Sequence, residues 1–333
     1  MLKVHNAVTT LLTNRIIFFL PFLIVLSSCE KKETEQPQKQ QQNQQAMQKL
    51  YPAFDGKQSF EYLLAQTNFG PRNPNSDGHR NCLLYLESEL KKFSEKVTLQ
   101  HFTQKGYDET LQLTNVFAQF NTAAPQRILL VAHWDTRPRA EEDANPETRN
   151  KPILGANDGA SGVAVLLELA RIFKNNPPPL GVDILFVDGE DYGHSQKDGR
   201  SDLDLYFLGA KHFSKTKSPE YTPRFGILLD MVGDRDLQIP LEQNSMRFAP
   251  QLMDMVWSTA EEVRATQFIR IPGESISDDH FALNEAGIPT IDIIDFQYPH
   301  WHTHQDTPDK CCSESLEAVG KVLSALIYTK LAQ

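Results

Sequence analysis

The sequence predicts an α/β fold in which helices cover both faces of a mixed, mainly parallel central sheet. Three observations support this prediction. Short apolar runs typical of buried strands alternate with helical patterns along most of the chain. Several of these runs end directly in acidic residues or histidine, as where residues 181–187 lead to Asp188, Glu190 and Asp191. Residues 50–333 contain no second linker and no internal repeat, which indicates a single domain.

The first residues predict an exported protein. A positively charged start precedes an apolar stretch at residues 16–26, and two serines then lead to Cys29. This order is typical of a signal peptide over residues 1–28, and the stretch is too short to be taken for a membrane span. Residues 26–29 also resemble a bacterial lipoprotein box, which implies a lipid on Cys29. We therefore expect a lipoprotein in the periplasm or outer membrane; an ordinary signal peptide with an unmodified cysteine is the alternative.

Composition separates this start from the rest of the chain. Residues 30–49 are almost all Lys, Glu and Gln, and such a sequence cannot bury enough apolar surface to fold. We expect a lipidated cysteine and disordered tether over residues 29–49, followed by a catalytic domain at 50–333. The net charge of −10 argues against nucleic acid as a partner. We expect a monomer.

Three cysteines remain in the predicted domain, at positions 82, 311 and 312. Adjacent Cys311 and Cys312 could pair with each other only with strain, whereas Cys82 could bridge to one of them in an oxidising compartment. Free buried thiols are an equally good interpretation. Their spacing does not match a zinc finger.

Each element follows from local patterns. Breakers at 70–74 separate two helical patterns, and alternating residues then predict a hairpin before the first central strand. The predicted order is helices at 60–67 and 76–92, hairpin strands at 97–104 and 111–120, a strand at 127–132, a helix at 162–173, a strand at 181–187, a helix at 203–214, a strand at 225–229, helices at 250–265 and 281–287, a strand at 288–294 and a helix at 315–331. Residues 136–157 are rich in charge and proline and predict an irregular loop, either with a role at the site or as a surface insertion.

Candidate metal ligands follow the ends of the predicted strands. His133 follows one strand, Asp191 the next and Asp230 a third, while His302 comes within eight residues of the last. Asp158 stands just before a predicted helix. Open α/β sheets bind ligands at the carboxyl ends of their strands, so these loops should meet in one crevice. The pattern indicates a metal site of carboxylates and histidine.

Taken together, the motifs resemble those of the zinc aminopeptidase superfamily, and within it they are most similar to bacterial glutaminyl cyclases. The similarity covers roughly residues 127–306, and the ordered set is more specific than any single motif. The motifs are His133-x-Asp135, Gly155-Ala-Asn-Asp158-Gly, Asp188-Gly-Glu190-Asp191, Leu229-Asp230, Asp278-Asp279-His280 and Trp301-His302-Thr303.

The resemblance implies one Zn²⁺ per chain, with a role for each matching residue. Asp158, Asp191 and His302 would be the zinc ligands, and Glu190 the general acid and base. The other implied residues are Asp230 and Asp279 as catalytic groups, and His133 and Trp301 as residues that contact the substrate. The implied activity is conversion of the N-terminal glutamine of exported peptides or proteins to pyroglutamate, with release of ammonia.

Two departures and two alternatives accompany this interpretation. Family members often carry Glu where Asp191 stands, and mammalian-type cyclases have a tryptophan soon after the paired acids, which residues 192–200 lack. One alternative is an aminopeptidase with two zinc ions, the second held by His133 and Asp230. The other is a binding or scaffold lipoprotein, against which the complete set of ligand residues argues.

Overall fold

The computed structural model describes residues 50–194 and 203–332. The signal peptide, the lipid on Cys29 and the tether lie outside these residues and stay predictions, as does the domain division built on them. Within the described residues, no helix has the length and apolar character needed to cross a membrane.

The central sheet has six strands and is mixed, as predicted. Its order is β1-β2-β4-β3-β5-β8, and a separate pair is formed by β6 and β7. The first two strands form an antiparallel hairpin, β2 pairs antiparallel with β4, and the other four strands run parallel. The strands are β1 (Lys96–Lys105), β2 (Thr110–Phe120), β3 (Arg127–His133), β4 (Gly181–Val187), β5 (Gly226–Asp230), β6 (Ile239–Leu241), β7 (Phe268–Pro272) and β8 (Thr290–Ile294).

The helices follow the predicted order apart from one short helix at Gln243–Phe248 that was not predicted, with some differences at their ends. They are α1 (Gly56–Thr67), α2 (Asp77–Phe93), α3 (Ala160–Asn175), α4 (Leu208–Thr216), α5 (Gln243–Phe248), α6 (Pro250–Val263), α7 (Asp279–Glu285) and α8 (Ser313–Ala325). The helix predicted at 203–214 is a 3-10 turn, Leu203–Leu205, followed by α4. α7 begins two residues earlier than predicted because the side chain of Asp278 caps it, accepting a hydrogen bond from the Asp279 N–H.

Helices cover both faces of the sheet, which confirms the predicted fold class. Alternate residues of β3 show this, because Leu130 belongs to the apolar cluster around α3 whereas Leu129 and Val131 belong to the cluster around α4 and α7. All seven residues of β4 are buried, as expected for a central parallel strand. Burying each large apolar side chain contributes about 1.5–3 kcal/mol.

The structure has free thiols rather than a bridge. Cys82, Cys311 and Cys312 are unpaired, and no disulfide occurs among the described residues. Cys82 and Cys311 are fully buried. Burial raises the pKa of the Cys82 thiol to about 12, so this cysteine is unreactive at neutral pH.

Candidate functional site

The three predicted zinc ligands lie together at the carboxyl edge of the sheet. His302 Nε2 is 3.2 Å from Asp191 Oδ2 and 3.7 Å from Asp158 Oδ2. One donor atom from each residue lies within 4.8 Å of the others. Among the described residues, these two carboxylate oxygens have no hydrogen-bond partner although they are buried. Because unpaired buried carboxylate oxygens are costly, and carboxylate with imidazole is a set that Zn²⁺ accepts, the three residues fit this metal.

Two further buried carboxylates hold the ligand loops in place. Asp306 accepts hydrogen bonds from the backbone N–H groups of Asn157 (2.8 Å) and Asp158 (3.1 Å). Asp135 accepts from the backbone N–H groups of Glu190 (3.1 Å) and Asp191 (3.3 Å). Asp135 belongs to the motif set, but the sequence assigned no role to it. Its carboxylate fixes the turn that carries Glu190 and the candidate ligand Asp191.

The backbone at His302 is in a strained conformation. Its φ is +53°, in the left-handed region that costs a non-glycine residue about 1–3 kcal/mol. The His302 carbonyl accepts a hydrogen bond from the Glu142 N–H (3.2 Å), which ties this turn to the loop after β3. Such strain persists only where neighbouring structure determines the conformation, and it is concentrated at functional sites.

His133 and Asp230 form a second group that also includes Asp158. His133 Nε2 lies 3.1 Å from Asp230 Oδ1, a hydrogen-bonding distance, and 3.3 Å from Asp158 Oδ1. These residues also have their donor atoms close enough to hold a metal. Burial lowers the pKa of His133, but the neighbouring carboxylates of Asp135, Asp158 and Asp230 outweigh this effect, and the net pKa is well above the usual value.

The surroundings of Glu190 and Asp279 raise the pKa values of both carboxyl groups. Burial raises the pKa of Glu190 well above its usual value, and the charges of Asp191 and Asp278 add to the shift. Burial and Asp278 do the same to the pKa of Asp279, whose two oxygens lack hydrogen-bond partners within the described part of the chain. A nearby cation would oppose both shifts. Such pKa values suit groups that accept and return a proton during a reaction.

Trp301 forms an apolar wall beside the candidate metal ligands. Its indole stacks on the His302 imidazole at 3.7 Å and contacts Phe296 at 5.2 Å between ring centroids. Trp301 packs against a cluster that includes Met231 and Ile294. Trp301 therefore lies beside a candidate metal ligand, and its contact with substrate stays a prediction. The difference expected at 192–200 lies largely outside the described residues, which resume at 203.

Several residues of the site were missed by the sequence analysis. Arg137 and Glu141, in the irregular loop after β3, contact the candidate ligands Asp191 and His302. Asp292 lies in the apolar strand β8, and neither of its carboxylate oxygens has a hydrogen-bond partner among the described residues. Its pKa is raised well above the usual value by burial and by Asp278. The sequence did contain a signal for Asp292, because it is a single acidic residue inside an otherwise apolar run.

Asp278 leads to a prediction about stability and pH. Burial, and then the charge of Asp230, raises the pKa of Asp278 to about 8, against about 3.9 in an unfolded chain. Between these values the folded protein holds a proton that the unfolded chain has released, so the free energy of unfolding falls as pH rises. We expect Asp278→Asn to reduce this slope by up to about 1.4 kcal/mol per pH unit. Urea unfolding of both metal-free proteins across this range measures it, and an unchanged slope would contradict the assignment.

Fold and site together define the class of this protein: an α/β protein with metal-type carboxylates and histidines at the carboxyl ends of parallel strands. Residues 115–327 match the family described as Peptidase family M28. The chain therefore belongs to peptidase family M28.

Known proteins of similar sequence and structure include glutaminyl cyclases, which confirms the resemblance. A solved structure of *Bacteroides thetaiotaomicron* glutaminyl cyclase bound to N-acetylhistamine is 41% identical, with a TM-score of 0.81 over 84% of this chain and 99% of that one. A structure described as a leucine aminopeptidase precursor from the same species has the same identity and TM-score, and covers 84% and 98% of the two chains. The glutaminyl-peptide cyclotransferase-like protein of *Bos taurus* is 24% identical over 77% of this chain and 71% of its own length.

Proposed function

We propose that this protein is a glutaminyl-peptide cyclotransferase, which converts the N-terminal glutamine of exported peptides or proteins to pyroglutamate and releases ammonia. One observation carries the proposal. Glu190 lies close enough to Asp191 and Asp279 for their charges to raise its pKa, and Trp301 stacks on His302, in a chain that is 41% identical to a glutaminyl cyclase over 99% of that structure. The two acids can carry protons, and the indole can pack against a glutamine side chain.

We infer one Zn²⁺ per chain, held by Asp158, Asp191 and His302. A zinc ion held there would polarise the γ-amide carbonyl of the glutamine. The second group supports a single ion, because Asp230 accepts a hydrogen bond from His133 whereas the facing oxygens of Asp158 and Asp191 lack such partners among the described residues. In this proposal His133 and Asp230 orient the site through hydrogen bonds.

The chain's own acids move the proton. Glu190 accepts a proton from the α-amine as the amine nitrogen forms a bond to the γ-amide carbon, and returns it to the leaving ammonia as the carbon–nitrogen bond breaks. Asp279 orients the amide, and Trp301 holds the side chain in its folded-back conformer. Since both reacting groups belong to one residue, fixing this conformer supplies much of the rate.

The products of two substrates test this function. Incubated with Gln-Ala, the protein should release ammonia and leave a pyroglutamyl peptide, and it should leave leucine amide intact; mass spectrometry identifies both products. Free glutamine or leucine would instead indicate the aminopeptidase with two zinc ions, whose second ion would lie at the group of His133, Asp158 and Asp230.

We also propose that the protein is anchored in the periplasm or outer membrane by lipid on Cys29. The sequence of residues 26–29 supports this. Cys29→Ala should move the exported protein from the membrane to the soluble fraction and remove the lipid mass from its N-terminus. Immunoblotting of fractions and intact-mass measurement check this. Equal membrane association of both proteins would contradict it.

A further inference from the structure

An arginine in the loop after β3 is buried against one of the candidate zinc ligands. The side chain of Arg137 is fully buried. Its Nη1 donates hydrogen bonds to Asp191 Oδ1 (2.8 Å) and to the Asp191 carbonyl (2.9 Å). Its Nε donates to Glu141 Oε1 (2.9 Å) and Oε2 (3.1 Å), and its Nη2 also contacts Glu141. Arg137 is thus shared between a ligand and a second carboxylate.

Glu141 continues this connection to another ligand. Its Oε1 lies 3.2 Å from His302 Nδ1. An ionised carboxylate only accepts hydrogen bonds, so the proton is on His302 Nδ1. The next residues hold the same turn, since the Glu142 N–H donates to the His302 carbonyl (3.2 Å) and Asp143 accepts from the His304 N–H (3.0 Å). The loop at 137–143 therefore contacts the turn that carries His302 at three points: the His302 ring, the His302 carbonyl and the His304 N–H.

These contacts decide which ligand atoms face the metal. Arg137 occupies Asp191 Oδ1, which leaves Oδ2 as the free oxygen. A proton on His302 Nδ1 leaves the Nε2 lone pair available, and this atom is 3.2 Å from Asp191 Oδ2. Hydrogen bonds of this kind to the second nitrogen of a ligating histidine fix its tautomer and ring orientation.

We propose that the Arg137–Glu141 pair is the outer part of the metal site and selects Asp191 Oδ2 and His302 Nε2 as the zinc-binding atoms. This inference rests on the proposed zinc site, and it gives a purpose to the irregular loop at 136–157. The planar guanidinium donates two hydrogen bonds to Glu141 through Nε while Nη1 donates to Asp191, a fixed geometry that the single ammonium group of a lysine cannot reproduce. Its positive charge also balances the negative charge of Glu141, whose carboxylate oxygen would otherwise compete with the proposed ligands for the zinc.

Zinc affinity tests the inference. Glu141→Met removes the acceptor for His302 Nδ1 and should weaken zinc binding about 10–100-fold, the usual effect of losing an outer partner. Glu141→Gln keeps an acceptor oxygen and should lose less, whereas Arg137→Lys should fall in the same range as Glu141→Met. Competition of the full-length protein with a chromophoric zinc chelator gives each dissociation constant.

A neighbouring residue supplies the matched control. Glu147 lies in the same loop, but its side chain is exposed, so Glu147→Met should bind zinc like the wild type. The melting temperature of each metal-free protein separates an effect on zinc from an effect on folding. Wild-type affinity in both Glu141→Met and Arg137→Lys would overturn the inference, even if both were less stable. Failure of the wild type to bind zinc would instead reject the proposed metal site.

Discussion

Glu190→Gln is expected to lower kcat for pyroglutamate formation about 100–10,000-fold, the range that a positioned proton-transfer group contributes. The amide keeps the size of the side chain but cannot take a proton from the substrate amine. Glu190 is mostly buried and lies 3.9 Å from His133 Nδ1, on the other side of the turn from the Asp191–His302 contact. Zinc should therefore remain bound. Ammonia release from Gln-Ala and metal analysis of the same preparation measure the two effects.

The structure offers a control for this substitution and a clear contrary result. Glu147→Gln makes the same chemical change at an exposed position of the loop after β3 and should leave kcat unchanged. Activity of Glu190→Gln within a few-fold of the wild type would remove Glu190 from the mechanism. Loss of zinc together with activity would show that Glu190 acts on the metal site rather than on the proton.

The main strands could be predicted from the sequence because each is buried and continuous. Residues 181–187 were predicted to the residue, since every side chain of β4 is buried and both neighbours are strands. The short elements β6, α5 and β7 were missed. β7 has five residues, of which the last three are exposed, and β6 has only three residues, so both are too short to give a clear pattern. Such short elements are stabilised by contacts with neighbouring parts of the fold.

The positions of the ligands followed from the sequence, but the contacts that hold them did not. His133 and Asp230 end parallel strands, and Asp191 follows one at the same edge, so their meeting could be predicted from topology. Their roles came from the family resemblance. Arg137 contacts a residue 54 positions away and Glu141 one that is 161 away. No local pattern indicates such pairs.

Buried carboxylates that bind no metal form a frame around the site. Asp188 accepts a hydrogen bond from the Thr114 N–H (2.6 Å) and contacts His79 Nε2 at 2.9 Å. The His79 ring stacks on Trp134 at 4.4 Å, next to the Asp135 that holds the Glu190 turn. The buried acidic residues around the site therefore fall into two groups. Some accept hydrogen bonds from backbone N–H groups, and the others face the cleft. Residue type alone could not separate them, because the distinction depends on which N–H groups each acid meets.

Asp158→Ala is expected to have the largest effect on metal binding, because Asp158 belongs to both candidate groups. We expect zinc affinity to fall by more than about 100-fold, beyond the usual effect of an outer partner, and activity to fall with it. Asp230→Ala is the matched comparison, since Asp230 belongs only to the group with His133. Asp230→Ala should keep one zinc per chain but lose activity, because the His133 ring is no longer held in one orientation by the Asp230 carboxylate. Metal analysis after dialysis compares both variants with the wild type. If the wild type bound two ions and Asp230→Ala bound one, the result would contradict the single-ion site and favour the aminopeptidase.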